Sequence, residues 1–242
     1  MPFATGKGGA VIVNQYDLTS HLNSAEISAE ISTHDSTVFG QNSQTHQTGI
    51  TSGGLQLGGF FDRTALSGSH AVLSAALGAS AAKIATLAPE GFTVGYPVVL
   101  VAANETKYDD SVKVDSLVSV AAYLKATGGV DARAVSLHAL SAATATANDA
   151  SVDNAASTAN GGVAHLHVTA ASGTTPTCAV KIQHSANNSA WADLVTFTQA
   201  TAATSERIEV AAGTTVNRYL RAIYTIGGTA PSFTFTVAFA RR

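Results

Sequence analysis

The sequence has few charged residues and a single cysteine. Asp, Glu, Lys and Arg make up 12% of the 242 residues, half of the roughly 25% found in typical soluble domains. The net charge of −3 gives no electrostatic case for tight binding of DNA or of an anionic membrane. Because Cys178 is alone, an intrachain disulfide is excluded, and its strand-like surroundings favour a small buried thiol over a reactive one.

Long hydrophobic runs are absent as well. No stretch approaches the ~18–20 consecutive apolar residues of a membrane-spanning helix. The N-terminal residues MPFATGKGGAVIVNQ lack the charged head, apolar middle and cleavage site of a secretory signal. We therefore expect a soluble protein that has no membrane partner and is made in a cytoplasm.

Catalytic motifs are the third absence. The sequence contains no G-x-S-x-G, no H-E-x-x-H and no GKS or GKT phosphate loop. His34 and Asp35 are adjacent, but no nucleophile motif accompanies them. The sequence therefore predicts a protein that is not an enzyme, with no catalytic residue, no cofactor and no metal site.

Two histidines come nearest to a metal-binding pattern. His165 and His167 lie two residues apart on a predicted strand, so their rings share a face and could both meet a metal ion. No third ligand follows nearby, which favours a solvated or hydrogen-bonded strand face. Asp149 and Asp153 could touch a calcium ion, but the DxDxDG order is missing.

A few other side chains are candidates for binding. Trp191 follows a polar, turn-like stretch, and we expect it to pack at a sheet edge; stacking on a carbohydrate is the alternative. Arg218 and Arg221 are expected to pair with carboxylates, and Glu206 and Glu209 are possible partners.

What the sequence does contain is alternation with a period of two, which is typical of β-strands. The last 25 residues predict two strands joined by a Gly/Pro turn at GGTAPS. In the second strand one face is apolar (Phe233, Phe235, Val237, Phe239) and the other small and uncharged (Thr234, Thr236, Ala238, Ala240). The uncharged face lacks the Lys and Glu that protect exposed sheets, so we expect this sheet to need a partner in an assembly.

The first half predicts strands and one helix. The expected strands are 11–14, 24–33, 55–61, 96–102, 112–120 and 134–140, and the expected helix is His70–Ala88, which Pro89 ends. The polar insert His34–Ser52 has almost no charge. Loops of this length are generally functional or disordered, and we expect an arm that orders against a neighbouring subunit.

The second half predicts only strands. They are expected at 163–169, 178–184, 193–198, 206–210, 219–224 and 232–239, broken by turns such as ASGTTPT. We therefore predict a mainly β protein with a β-sandwich or barrel domain at residues 1–146, whose helix lies near 70–88. A linker at 147–162 and an antiparallel β-sandwich at 163–242 follow.

Several of these stretches together resemble the major tail proteins of long-tailed bacteriophages. Residues 11–62 contain Asp17-Leu18-Thr19 after the first strand, Thr37-Val38-Phe39-Gly40 before a polar loop, and Gly59-Phe60-Phe61-Asp62 after a Gly-containing strand. Residues 180–198 and 218–242 resemble a β-sandwich module found in virion proteins of the same phages. The resemblance excludes residues 63–95 and the linker.

This resemblance implies a tail tube subunit. Such subunits form rings, usually hexameric, that stack into a tube through which genomic DNA passes without specific binding. It implies that the chain's partners are copies of itself and other tail proteins, and that it resides in the virion tail after assembly in the host cytoplasm. The helix would lie outside the barrel or at a subunit contact, the arm would reach a neighbouring ring or subunit, and the second domain would decorate the exterior. The resemblance supplies no ligand-binding or catalytic residue.

Two other functions remain open from the residues alone. One is a capsid decoration or minor head protein built from the same β modules. The other is a carbohydrate-binding adhesin that uses Trp191 and the neighbouring polar loops.

Overall fold

The computed structural model describes residues 5–242. Residues 1–4, with which the predicted domain 1–146 begins, lie outside the described part. The described chain is mainly antiparallel β-structure, as predicted. Its strands are β1 (Ala10–Val13), β2 (Tyr16–Asp17), β3 (Leu22–Asp35), β4 (His46–Phe60), β5 (Lys83–Ala88), β6 (Pro97–Ser111), β7 (Ser119–Ala143), β8 (Ala147–Asn148), β9 (Val152–Asp153), β10 (Gly162–Ser185), β11 (Ala192–Thr196), β12 (Thr204–Val210) and β13 (Tyr219–Arg241).

Helical structure is sparse in these residues. It consists of a 3₁₀ turn at Gly6–Gly8 and the helix α1 at Ser69–Ser74. Within residues 5–242, no helix has the length and apolar character needed to span a bilayer.

The chain folds into two compact units. Unit 1 comprises the residues up to Ser20, Ile84–Leu100 and Asp131–Arg242, and unit 2 comprises His21–Lys83 and Val101–Val130. Strands β6 and β7 contribute residues to both. The expected linker 147–162 lies wholly inside unit 1, where β8 and β9 pair with β13. These units therefore differ in their boundaries from the division that the sequence suggested.

Unit 1 is organised around a long ribbon formed by β10 and β13. The two strands pair antiparallel from Gly162 opposite Arg241 to Ser185 opposite Tyr219. The expected turns at ASGTTPT and GGTAPS are wrong, because both segments lie within the strands. Each forms a bulge instead: Gly173 and Gly228 adopt φ of 117° and 112°, and Thr174 faces Thr229 at the same level of the ribbon. The Gly and Pro residues thus mark a bulge in both β10 and β13, and the two strands remain paired with each other on both sides of it.

From Phe233 to Ala240, strand β13 is largely buried on both faces. Its apolar face packs into one core, as expected, together with residues of β7, β10 and β11. Its Ala238 and Ala240 belong to a second core that includes Ile12, Phe92 and Val98. Thr236 Oγ1, on this same face, donates a hydrogen bond to the carbonyl of His138 at 2.6 Å. The expectation that this uncharged face needs a partner subunit is therefore wrong, because unit 1 covers it.

Unit 2 contains a sheet in the order β3–β4–β7. Buried apolar side chains occupy alternate positions of β4 and β7, and α1 and β6 contribute others (Leu55, Leu57; Val120, Ala122, Leu124; Val72, Leu73; Val101, Ala103). Alternation in residues 24–33 and 55–61 correctly predicted two of these strands, although β3 and β4 are longer than expected.

The predicted helix His70–Ala88 is largely wrong. Helix α1 ends at Ser74, Gly78 adopts a φ of 72°, and Lys83–Ala88 is strand β5. Strand β5 pairs with β1 through residues that include Ala85, Leu87 and Ala88. This pairing supplies backbone hydrogen bonds that the helix prediction did not take into account. Tertiary pairing here outweighs the weak helical preference of the Ala-rich segment.

Candidate assembly surface

The arm expected at residues 34–52 is a two-stranded ribbon in the structure. From here on, the arm means residues 31–50. Strands β3 and β4 continue to pair as far as Asp35 opposite His46, and the tip closes where the Ser36 amide donates to the Thr45 carbonyl at 2.8 Å. The expected loop 34–52 is therefore mostly strand. Strand β4 pairs with β7 only from Gly54 onward, so in the described chain the arm strands pair only with each other.

The arm exposes apolar side chains to solvent. Every residue from 31 to 50 is exposed except Ser36 and Gly49, which are half-buried. Phe39 is fully exposed, and Ile31, Val38 and Ile50 are more than half exposed. An isolated two-stranded hairpin is marginally stable in water, and each large apolar side chain gains ~1.5–3 kcal/mol on full burial. The arm thus leaves four large apolar side chains outside the cores of the described chain.

A second apolar surface lies at the other end of the same sheet. The turn between β6 and β7 exposes Val112, Val114 and Leu117, so the strand expected at 112–120 is wrong except for Ser119 and Val120. Phe60 pairs with Ser119 at this end, whereas Gly54 pairs with Lys125 at the arm end. Unit 2 therefore presents exposed apolar groups at both ends of its sheet.

The long outer edge of this sheet is also open. Among the described strands, β3 pairs with β4 alone, so 14 residues of backbone present an unpaired edge. Such an edge is a template for another strand.

One face of the sheet in unit 2 is a polar groove. The groove has a volume of about 400 Å³. The residues that line it include Glu26 and Glu30 of β3, Tyr123 and Lys125 of β7, and Thr106 of β6. Nearby, the Lys107 ammonium lies 5.1 Å from the centre of the Tyr123 ring. The groove is open and carries both signs of charge.

Glu105 is a residue that the sequence analysis missed. It follows Val101 and Ala103 at alternate positions of β6, so it shares their buried face. Neither carboxylate oxygen has a hydrogen-bond partner within the described chain. Burial raises the pKa of Glu105 to about 7, against the opposing effect of Lys83. Strand alternation through β6 is the signal that would have found it.

The structure places His165 and His167 on one strand face, as predicted, but buries both almost completely. Their rings are 5.7 Å apart and both hydrogen-bond to Thr86 Oγ1. The hydrogen-bonded alternative is therefore confirmed and the solvated one is wrong. Residues 5–242 contain no group of three or more His, Cys, Asp or Glu placed to hold a metal ion.

The two aspartates considered for calcium bind different protein groups. Asp149 Oδ2 is 2.8 Å from His138 Nδ1. Asp153 forms two hydrogen bonds with the guanidinium of Arg218, at 2.7 and 2.6 Å. These bonds lower the pKa of Asp153 to about 2.

Arg218 pairs with a carboxylate, as expected, but Glu206 and Glu209 are the wrong partners, and the carboxylate pairing expected for Arg221 is wrong. Arg218 pairs with Asp153, and Arg221 donates to Gln183 Oε1. Glu206 instead accepts from Thr198, and Glu209 from Arg207.

Trp191 is half-buried, and the guanidinium of Arg221 lies 4.1 Å from the centre of its ring. The stacking partner of this ring is therefore a protein side chain. Cys178 is fully buried, as expected, and burial raises its pKa to about 11.

Comparisons with known proteins give similarity in fold. No family model and no curated protein matches the sequence. The chain is similar to a chain in the virion of a native gene transfer agent particle (15% identity, 53% of this chain and 97% of that chain, TM-score 0.42). It is also similar to the SPP1 tail tube (11% identity, 52% and 77%, TM-score 0.42).

A third similar structure extends over nearly the whole length. It is SPP1 Dit, described as a paradigm of the hub adsorption apparatus in phages that infect Gram-positive bacteria (12% identity, 97% of this chain and 99% of that chain, TM-score 0.37).

Proposed function

We propose that the chain is a structural subunit of a phage-type tail, whose copies assemble through unit 2 into stacked rings that form a tube. The observation that carries the proposal is the arm, an unsupported ribbon with a fully exposed Phe39 at its tip. A neighbouring copy supplies the surface that covers it. The sequence resemblance to tail proteins supports the same role.

The surfaces of unit 2 suit contacts in two directions. The open edge of β3 accepts a strand from a neighbour within a ring, which removes the exposed edge. The arm and the apolar turn 112–118 lie at opposite ends of the sheet, so contacts between successive rings repeat head to tail.

The polar groove lies on the face that we assign to the channel. Glu26 and Glu30 make this face partly acidic, so phosphates are not retained as DNA passes. The proposal includes no catalytic role and no cofactor. His165, His167, Asp149 and Asp153 each bind another group of the chain. It places the assembled protein in the virion tail, together with other tail proteins.

Electron microscopy of the purified protein tests this function, with sedimentation velocity to measure particle size. We expect rings with a central channel, or tubes of stacked rings, whose fraction rises with protein concentration. A monomer or trimer that binds only to capsids would instead identify a decoration protein and contradict the tail function.

A further inference from the structure

Four hydrogen bonds form a continuous chain in unit 1, buried at its centre and partly buried at its two ends. His167 Nδ1 lies 2.5 Å from the carbonyl of Asn14, and His167 Nε2 lies 2.8 Å from Thr86 Oγ1. Thr86 Oγ1 lies 3.1 Å from His165 Nδ1, and His165 Nε2 lies 2.9 Å from Arg207 Nη1. The chain connects the turn after β1 and strand β5 with strands β10 and β12.

For two neutral imidazoles, the positions of the protons follow from the partners. The Asn14 carbonyl can only accept, so His167 carries its proton on Nδ1 and accepts at Nε2. Thr86 must then donate to His167 and accept from His165 Nδ1. This leaves His165 Nε2 as the acceptor for Arg207, so every member is satisfied in one arrangement.

We propose that this chain of hydrogen bonds is an acid-sensitive latch, which holds β1 and β5 against β10 and β12 and opens when the imidazoles are protonated. The two protonations differ in their consequences. A proton on His167 Nε2 faces Thr86 Oγ1, which can rotate and accept it. A proton on His165 Nε2 faces the Arg207 guanidinium. Two hydrogen-bond donors then point at each other, and the imidazolium and guanidinium cations repel.

Among residues 5–242, no carboxylate is hydrogen-bonded to either ring. Arg207 is backed by Asp131 at 3.4 Å and Glu209 at 2.9 Å. The cross-strand neighbours of His165 and His167 on β13 are Ala238 and Thr236, and His167 faces Ser205 on β12. Burial lowers the pKa of both histidines, that of His167 to about 4.

The direction of the pH effect follows from these shifts. A histidine with a lowered pKa in the closed state binds a proton more readily in the open state. Stability is therefore fully present above about pH 6.5, the ordinary value, and is lost as the pH falls. For each histidine that opening exposes, the equilibrium constant for opening rises about tenfold per unit fall in pH, until the pH reaches the pKa of the closed state.

Hydrogen exchange of the full-length protein between pH 7.5 and 4.5 tests the latch, after correction for the intrinsic effect of pH on exchange. We expect amides of β1 and β5, such as Val13 and Ala85, to lose protection by at least about 100-fold between pH 6.5 and 4.5. The amides that pair β4 with β7 should not show this loss.

Two variants sharpen the result. The double variant His165→Gln/His167→Gln should lose the acid-dependent step, whereas His46→Gln, which removes an exposed histidine of the arm, should retain it. If β1 and β5 open to the same extent in the double variant, the latch is wrong.

A measurement on the unmodified protein covers the case in which the double variant does not fold. Nitrogen-15 NMR of the imidazoles at pH 7.5 should show both protons on Nδ1. A proton on Nε2 of either ring would overturn the proposal.

Discussion

Glu105 places a carboxyl group in an apolar layer, and within residues 5–242 neither of its oxygens has a hydrogen-bond partner. It is 5% exposed and lies beside the turn after α1, where Leu77 forms a bridge to it. An unpaired carboxylate in such a place is costly, so the group holds a proton up to a pH of about 7.

We expect Glu105→Gln to remove a pH dependence of stability. In the wild type the folded state binds the proton more tightly than the unfolded state, so stability is full below about pH 4.5 and falls as the pH rises towards 7. The variant should be more stable than the wild type by ~1–3 kcal/mol at pH 8, and the gain should be absent at pH 5. Urea unfolding at the two pH values measures the difference.

The control for this prediction is Glu26→Gln, which changes an exposed carboxylate of the same unit. It should leave the pH dependence unchanged. An equal effect of Glu105→Gln at both pH values would contradict an ionised, buried carboxylate.

Individual side-chain partners were the least predictable feature. The shared face of His165 and His167 follows from strand alternation alone. Their common partner Thr86 is about 80 residues away, and the pairing of Arg218 with Asp153 spans 65 residues. Such partners depend on which strands pair, and no local pattern encodes that.

At the scale of elements, the arm combines paired strands with an apolar tip. Replacing residues 32–50 by Asn-Gly would join Ile31 to Thr51, which already face each other, through a sequence suited to a tight hairpin. We expect a folded protein that no longer forms tubes, since the removed residues include no buried side chain. Circular dichroism and electron microscopy give the two readouts.

Phe39→Ser is the milder form of the same experiment. It removes one exposed apolar side chain and should weaken assembly without lowering the melting temperature by more than a degree or two. Thr48→Ser, a polar change on the arm, is the matched control. Tubes of normal abundance from the shortened protein would show that the arm makes no essential contact.

Elements with strict alternation were predicted well, and those with ambiguous composition were not. Residues 24–33 and 134–140 lie in strands as expected. Residues 70–88 are rich in Ala and satisfy helix spacing, yet the latter part pairs with β1. Val112 and Val114 alternate like strand residues but occupy an exposed turn. Their side chains pack into no core within the described chain, so the alternation here does not indicate a strand.

At the scale of the whole molecule, the proposed channel depends on charge. Glu26→Lys/Glu30→Lys changes the charge of the groove by +4 in each subunit, because each substitution replaces a charge of −1 by +1. We expect tubes to assemble but to retain double-stranded DNA at low salt, with retention lost as salt rises. Filter binding of assembled tubes measures it.

The double variant Asp17→Lys/Glu90→Lys is the matched control, since it also changes the charge by +4 and both residues are exposed in unit 1. It should change DNA retention far less than the groove variant. Equal retention by the two variants would show that the groove does not face the DNA path.

The pairing of β10 with β13 has a consequence for biosynthesis. Unit 2 ends at Val130, whereas the larger core of unit 1 requires Phe233, Phe235 and Phe239 from the last ten residues. On the ribosome, unit 2 can fold while unit 1 still lacks its central strand. We expect nascent chains stalled before residue 219 to show a protease-resistant unit 2 alone, so that unit 1 closes only after β13 has been synthesised.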